Sequence, residues 1–563
     1  MRGLPSKSSS DVSHLTRCRL ATCNLNQWAN DYDGNLARIK QSIIEAKAQG
    51  AKYRLGPELE VSGYSMEDHF LEMDTYLHCD QSLAEILDSD LTDGILCDIG
   101  CPILHRNVRY NCRVFCLNRQ IVLIRPKLYL ADDGNYRERR YFTSWKYPSE
   151  LQMHTVSDIL FSVTGVRMVP FGVAAIATKE TLLSAEMCEE LWTPKAPHIE
   201  MALAGVEIFT NGSGSHHQLR KLQYRLDLLA SATNHCGGVY MYANQRGCDG
   251  NRLYFDGSSL IYVNGTLLAQ ASQFSLRDVE VISATVDLDD VRTYRQGASS
   301  FQEQSSEFAD QKKLPVIHLE HFSLAVGSNL PAVSITRPIA PLLHTPEEEC
   351  AYGPACWLWD YLRRSSAGGY LLPLSGGADS AATATILYVM CEMAVREAKE
   401  GSPGVMEDIR RLMGQQSSSS TSSSPLSSDI IVTDVPSAKD LCNHILHTAY
   451  MSTENSSSLT SSRAKSLAES IGAYHISFNI DLVVNAVLQV FAIVTGGRKP
   501  QFESEGGTPV EDLALQNIQA RLRMVMAYLF AQLCPWLRKK TSFLLGTGLS
   551  FYCSCYSLLV YHN

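Results

Sequence analysis

From Cys18 onward, short apolar runs alternate with stretches of helical periodicity, and that alternation confines the chain to α/β architectures. Arg19 to Asn24 reads as a strand. Across Gly34 to Gly50 the residues Leu36, Ile39, Ile43 and Ala46 fall on one helical face, and Lys52 to Leu55 reads as the next strand. Strands rich in Val, Ile and Leu recur at Ile121 to Ile124, Val206 to Thr210 and Val239 to Ala243, with Gly- or Asn-containing turns between them. A first domain is expected over residues 18–294. Between residues 295 and 346 the periodicity fades while Gln, Ser, Glu and Pro accumulate, which predicts a linker. A second α/β domain is expected over 347–548. In it Trp357 to Leu362 reads as an amphipathic helix, Tyr370 to Leu374 as a buried strand and Ala381 to Glu400 as a long helix. Nine of the twelve residues from Ser417 to Ser428 are Ser, too polar a run to order itself, so a mobile loop is expected there.

Composition narrows the functional classes. The 563 residues are 45% apolar, enough for sizeable cores. Only 19% are charged, with 49 basic side chains against 59 acidic ones and a net charge of −10, a poor balance for binding nucleic acid through phosphate contacts. Seventeen cysteines, an odd number without repeated metal-ligand spacing, read as reduced thiols of a cytoplasmic protein and disfavour both a disulfide framework and zinc. Residues 1–17 are polar and Ser-rich with no apolar run, which predicts a disordered extension and not a secretory signal. Asp11 argues against a mitochondrial transit peptide.

Three stretches each put a reactive side chain just after a predicted strand: Gly56-Pro57-Glu58-Leu59, Arg125-Pro126-Lys127, and Ala185-Glu186-Met187-Cys188-Glu189-Glu190. Singly, each has an ordinary explanation, since a lone Cys is usually a small buried hydrophobe and a lone Lys or Glu a solvated charge. Together they supply what amide hydrolysis by a thiol needs: a nucleophile in Cys188, a carboxylate in Glu58 to move its proton, and a cation in Lys127 to hold the oxyanion and favour the thiolate. With Gly63-Tyr64, Asn135-Tyr136-Arg137-Glu138 and Leu191-Trp192, the stretch from Leu20 to Leu288 resembles the nitrilase (carbon-nitrogen hydrolase) superfamily. That resemblance implies a four-layer α-β-β-α sandwich, a Glu-Lys-Cys triad and a supporting second glutamate at Glu138. It also makes Asn211-Gly212-Ser213-Gly214-Ser215 similar to the substrate loop of the family's glutaminases, with Tyr136, Ser215 and Lys221 contacting glutamine. His216 and His217, lacking carboxylate or Cys partners in sequence, are expected at the surface.

In the second domain, Leu372-Pro373-Leu374-Ser375-Gly376-Gly377-Ala378-Asp379-Ser380-Ala381 joins a buried strand to a helix. Glycines let backbone approach an anion, and the helix start offers free N–H groups and a positive dipole end. The string resembles the SGG-x-DS pyrophosphate loop of ATP pyrophosphatases, with Ala378 where Val is commonest and no Walker Gly-Lys-Ser/Thr. The resemblance implies ATP binding by Pro373 through Ser380, a catalytic part for Ser375, and Mg²⁺ held through Asp379. Asn517-Ile518-Gln519-Ala520-Arg521-Leu522-Arg523, on a helix running to about Leu533, is similar to the segment of NAD synthetases that binds nicotinic acid adenine dinucleotide, which assigns that role to Asn517, Arg521 and Arg523.

A nitrilase-type amidase ahead of an SGG-x-DS domain resembles the glutamine-dependent NAD synthetases, and Trp357-Leu358-Trp359-Asp360 fits their eukaryotic form. The resemblance implies a Rossmann-like parallel sheet in the second domain, ammonia passed through a tunnel from glutamine to an adenylate, and homo-oligomers. After Leu544-Leu545-Gly546-Thr547-Gly548 the sequence leaves the family's pattern, so residues 549–563 are expected to be a non-family tail, the second domain incomplete and its synthetase activity impaired. A glutaminase-only or non-catalytic subunit is then the alternative. A weaker rival is a tail anchor over Thr541 to Tyr561, which is 21 residues long, uncharged and preceded by Arg538-Lys539-Lys540. Six Ser or Thr residues weigh against it, and no membrane partner is expected.

Overall fold

The computed structural model describes residues 16–311, 314–319, 321–326, 334–414, 435–539 and 542–547. The expected N-terminal extension up to residue 15, the Ser-rich loop 417–428 and the tail 549–563 lie outside the described residues. The chain divides into two compact units, one of residues 1–274 with 278–349, the other of residues 275–277 with 350–563. Among the described residues, no helix is long and apolar enough to cross a membrane.

The first unit is built on a sixteen-stranded sheet. At its centre six neighbouring strands run parallel, in the order Leu182–Met187, Ile208–Ser213, Val239–Gly247, Arg17–Leu25, Tyr53–Leu55 and Leu96–His105. Their side chains alternate between two cores, as the two-residue period of a strand requires. On the first strand Ala21, Cys23 and Leu25 join a cluster with helix residues Leu36, Ile39, Ile43, Leu83 and Leu229. Cys18 and Leu20 point the other way and share a second cluster with Leu96 and Phe115 from one end of the sheet and Ile176 and Leu183 from the other. Strands far apart in sheet order therefore meet face to face. The sheet curls on itself, with helices outside and a sheet-to-sheet core inside, which is the expected sandwich.

Residues 295–346 depart from the expected linker. They carry the helix Ser299–Gln311 and the strand Val316–His318, which pairs with Ala175–Ala177, while Thr336 and Ile339 donate backbone hydrogen bonds to Thr285 and Leu267. The periodicity was weak because Phe301, which packs on the outer core under the Arg295 guanidinium, stands among Ser and Gln.

The second unit holds a four-stranded parallel sheet in the order Tyr474–Asn479, Leu446–Ser452, Tyr370–Pro373, Leu545–Gly546. The helix Ala378–Lys399 follows the strand Tyr370–Pro373 and buries Ala384, Leu387, Met390 and Ala394 along one face. The long C-terminal helix runs over Pro509–Leu537 and opens with a capping box between Thr508 and Glu511.

Candidate active site

Glu58, Lys127 and Cys188 all follow strands of the first unit, and the curl of the sheet brings their loops together. The Lys127 ammonium donates to Glu58 Oε1 at 2.6 Å and to Glu138 Oε1 at 2.8 Å, so one cation bridges two carboxylates. Asn111 Nδ2 donates to the same Glu58 oxygen at 2.8 Å, and the Gly214 N–H donates to Glu58 Oε2 at 3.1 Å. Glu138 also accepts from the Ala131 N–H at 3.1 Å and from the Tyr64 hydroxyl. Glu58 and Lys127 have no solvent exposure, and Glu138 and Cys188 are 3% exposed. Glu138 is therefore no ordinary surface charge.

Cys188 begins the turn after its strand with φ +38°, a left-handed conformation unusual for a side-chain-bearing residue. Its N–H donates to Asn211 Oδ1 at 2.8 Å. The turn is tied to the Lys127 loop by Glu190. Its carboxylate takes both ends of the Arg125 guanidinium at 2.8 and 2.6 Å and also accepts from the backbone N–H groups of Leu128 and Met187.

Lys127 favours the thiolate, as expected, but burial, followed by the negative charge of Glu58, outweighs it and pushes the Cys188 thiol far above its usual range. Lys127 itself is held well above the lysine range: burial would lower it, and Glu138 and Glu58 outweigh that. Glu138 is pushed up by burial against the pull of Lys127. The site thus sets burial and two carboxyl groups, which favour the neutral thiol, against one fixed cation, which favours the thiolate.

A cavity of about 510 Å³ opens on Cys188. Tyr136, Ser215 and Lys221 line it, together with Glu189, Trp192 and Tyr224, which sequence reasoning passed over. Ser215 is fixed by Asn244, which accepts its N–H at 2.8 Å, and by Arg225, which donates to its hydroxyl at 3.2 Å. The Lys221 ammonium lies over the Trp192 and Tyr136 rings at 5.5 and 5.9 Å and is lowered to about 8 by burial and by the nearby Arg225 cation. An anionic Glu189 and a cationic Lys221 on one cavity wall suit an α-amino acid. His216 is not at the surface: it is buried, bonds the Tyr136 hydroxyl at 2.9 Å, and is lowered to about 3 by burial. His217 is half-buried, 3.8 Å from Asp256.

In the second unit the SGG string forms the turn between the strand Tyr370–Pro373 and the helix Ala378–Lys399. Pro373 ends the strand, and Leu374 is buried with its N–H on the Ala449 carbonyl at 2.9 Å. Gly376 has φ +78°, and a Cβ there would sit 2.2 Å from the Thr460 carbonyl oxygen, so no side chain fits. Ser375 and Ser380 bond each other at 3.0 Å across the turn, and Gly377 caps the helix while Ala378 and Asp379 open its exposed first turn. On the helix Pro509–Leu537, Asn517 and Arg521 are exposed, whereas Arg523 reaches the Met451 carbonyl at 3.2 Å, near the carboxyl end of the strand Leu446–Ser452. Among the described residues no group of three or more His, Cys, Asp or Glu side chains gathers as a metal site.

The fold and site define a two-part enzyme, a thiol amidase joined to an anion-binding parallel-sheet domain. Residues 19–296 match the carbon-nitrogen hydrolase family and residues 354–550 the NAD synthase family. The glutamine-dependent NAD(+) synthetase of Saccharomyces cerevisiae is 51% identical over 527 residues, covering 94% of this chain and 71% of that protein. The Homo sapiens protein of the same description is 50% identical over 519 residues, covering 92% of this chain and 70% of its own length. The crystal structure of a glutamine-dependent NAD(+) synthetase from Cytophaga hutchinsonii shares the fold with a TM-score of 0.69 at 24% identity, over 91% of this chain and 72% of that one. The chain belongs to the glutamine-dependent NAD(+) synthetases, ATP-using ligases that take nitrogen from glutamine.

The Arg125–Glu190 clamp yields a prediction. Glu190→Gln turns a donor toward Arg125 or the Met187 N–H, loosening both the Lys127 and Cys188 loops. Glutamine hydrolysis should lose about tenfold to a hundredfold in kcat with KM changed by less than about threefold, measured by steady-state glutamate release.

Proposed function

We propose that Cys188, Glu58 and Lys127 hydrolyse glutamine and that residues 373–380 bind the ATP phosphates used to activate the acceptor. The observation carrying this reading is the Lys127 ammonium, bridged between Glu58 and Glu138 beside Cys188 in the wall of the cavity.

Glutamine enters with its α-carboxylate toward Lys221, its α-ammonium toward Glu189, and its backbone atoms against Tyr136 and Ser215. Glu58 removes the thiol proton as Sγ attacks the amide carbon, because the thiol is neutral at rest. Lys127 receives the charge that develops on the amide oxygen, and Glu138 keeps the ammonium protonated and in place. Glu58 passes the proton to the departing nitrogen, ammonia leaves and a γ-glutamyl thioester remains. Glu58 then deprotonates the water that hydrolyses it, releasing glutamate.

In the second unit the acceptor is nicotinic acid adenine dinucleotide. Its carboxylate oxygen attacks the α-phosphorus of ATP, pyrophosphate leaves, and ammonia displaces AMP from the adenylate to form the amide. Backbone N–H groups from Ser375 to Ala378 and the hydroxyls of Ser375 and Ser380 receive the phosphates at the helix start. Asp379 stands exposed in that first turn, where its carboxylate would help hold a Mg²⁺ ion that neutralises the phosphate charge. Asn517, Arg521 and Arg523 bind the dinucleotide. A cytoplasmic setting and, where the second domain permits it, assembly as a homo-oligomer complete the reading.

Two outcomes test this reading. Cys188→Ala should abolish glutamate release from glutamine while NAD formation with added ammonia stays at the rate of the unsubstituted chain. Loss of both rates together, or retention of both, would contradict the assignment. Lys221 is protonated below a pKa of about 8 and neutral above it, so the attraction for the α-carboxylate is present at lower pH and lost as pH rises through that value. The kcat/KM for glutamine should therefore fall above about pH 8, and Lys221→Met should show a raised KM without that alkaline limb.

A further inference from the structure

Behind Cys188 lies a set of buried polar groups that the reaction as described does not use. Glu186, on the strand that leads into the nucleophile, has no solvent exposure, and neither have Tyr240 and Asn211 on the next two strands. The Tyr240 hydroxyl donates to Glu186 Oε1. Asn211 Nδ2 donates to the Tyr240 oxygen at 3.2 Å, and Asn211 Oδ1 accepts from the Cys188 N–H at 2.8 Å and from the Ser213 hydroxyl at 2.9 Å.

The chain has one direction only. A carboxylate can only accept, so the tyrosine hydroxyl donates to it and its oxygen accepts from the amide of Asn211. That fixes which end of Asn211 faces the nucleophile, because a flipped amide would point donors at the Cys188 N–H. Glu186 is kept ionised for this purpose. Burial would raise it, but His198, whose Nδ1 lies 3.2 Å from both carboxylate oxygens and whose N–H donates at 3.0 Å, holds it below the usual glutamate range together with Tyr240. At the other end Cys188 sits at φ +38°, a strained conformation that persists only when its surroundings impose it.

We infer that Tyr240 and Asn211 are positioning residues for glutamine hydrolysis: with Glu186 they form a buried, one-directional hydrogen-bonded chain that holds the Cys188 amide and so aims its sulfur. The inference rests on the reading of Cys188 as the nucleophile. Relaxation of the turn misaligns the sulfur with the amide carbon and leaves Tyr136 and Lys221, which line the cavity from other elements, in place, so the chemical step suffers more than substrate binding.

The test compares wild type, Tyr240→Phe, Asn211→Ser and Cys188→Ala. Tyr240→Phe keeps the ring that packs near Phe209 and His198 and removes only the hydroxyl. Asn211→Ser is too short to reach the Cys188 amide and carries the test if the tyrosine variant does not fold cooperatively. The probe is the chloroketone analogue of glutamine, with labelling mapped to Cys188 by peptide mass, alongside steady-state glutamine hydrolysis. Expected are a labelling rate constant and a kcat each lower by about tenfold to a hundredfold, full final labelling of Cys188, and a glutamine KM within about threefold of wild type. A merely structural role would reduce the fraction of chains labelled and leave the rate constant of the remainder alone, and that result overturns the inference, as does a folded variant labelling within about twofold of wild type. Failure of the underlying reading looks different: wild type would not label at Cys188, or Cys188→Ala would still hydrolyse glutamine.

Discussion

The first domain depends on one ammonium held between two carboxylates where no solvent reaches. A buried charge is tolerated only when paired and hydrogen-bonded, and removing one member of such a pair costs about 3–5 kcal/mol. Lys127, Glu58 and Glu138 satisfy that condition together, with Asn111, Gly214, Ala131 and Tyr64 meeting the remaining oxygen lone pairs. The same three charges govern the nucleophile. Burial first, then the charge of Glu58, presses the proton onto the Cys188 sulfur against the pull of Lys127, so the site relies on a positioned base and not on a standing thiolate.

Around that cluster the fold sets further buried ion pairs whose arginines stand on strands and brace the loops that carry Glu58, Lys127 and Cys188. Arg54 grips Glu60 at 2.8 and 2.7 Å, two residues past Glu58. Arg113 pairs with Asp98 at 2.6 Å and donates to the carbonyls of Gly56 and Pro57, just before Glu58. Arg125 and Glu190 join the other two loops. Planar guanidinium groups suit this work because each makes several bonds in fixed directions. In the second domain the corresponding anchoring is backbone geometry, with Gly376 pressed against the Thr460 carbonyl and the helix Ala378–Lys399 supplying the dipole.

What was legible in the sequence was the placement of reactive side chains directly after strands. Glu58, Lys127, Cys188 and the Ser375 to Ser380 turn each carry their own local signature, and the alternation of apolar runs with helical faces implied the layers. What was not legible joins residues far apart in the chain: Arg125 to Glu190 spans 65 positions and Asn111 to Glu58 spans 53, and neither pair leaves a local pattern. The balance on the sulfur was not legible for the same reason, because burial, followed by the charge of Glu58, outweighs the pull of Lys127, and none of these is local to Cys188. His216 misled because its partner, the Tyr136 hydroxyl, lies 80 positions away. The segment 295–346 misled because a helix anchored by Phe301 among Ser and Gln shows little periodicity.

The central claim is that the nucleophile rests as a neutral thiol and is deprotonated only in the act of attack. The most direct measurement is the ultraviolet thiolate absorbance of the folded protein at neutral pH, taken as the difference between wild type and Cys188→Ser. No difference is predicted, because burial and the neighbouring carboxylates hold the proton on sulfur. A full thiolate signal at neutral pH, lost in Cys188→Ser, would contradict the account.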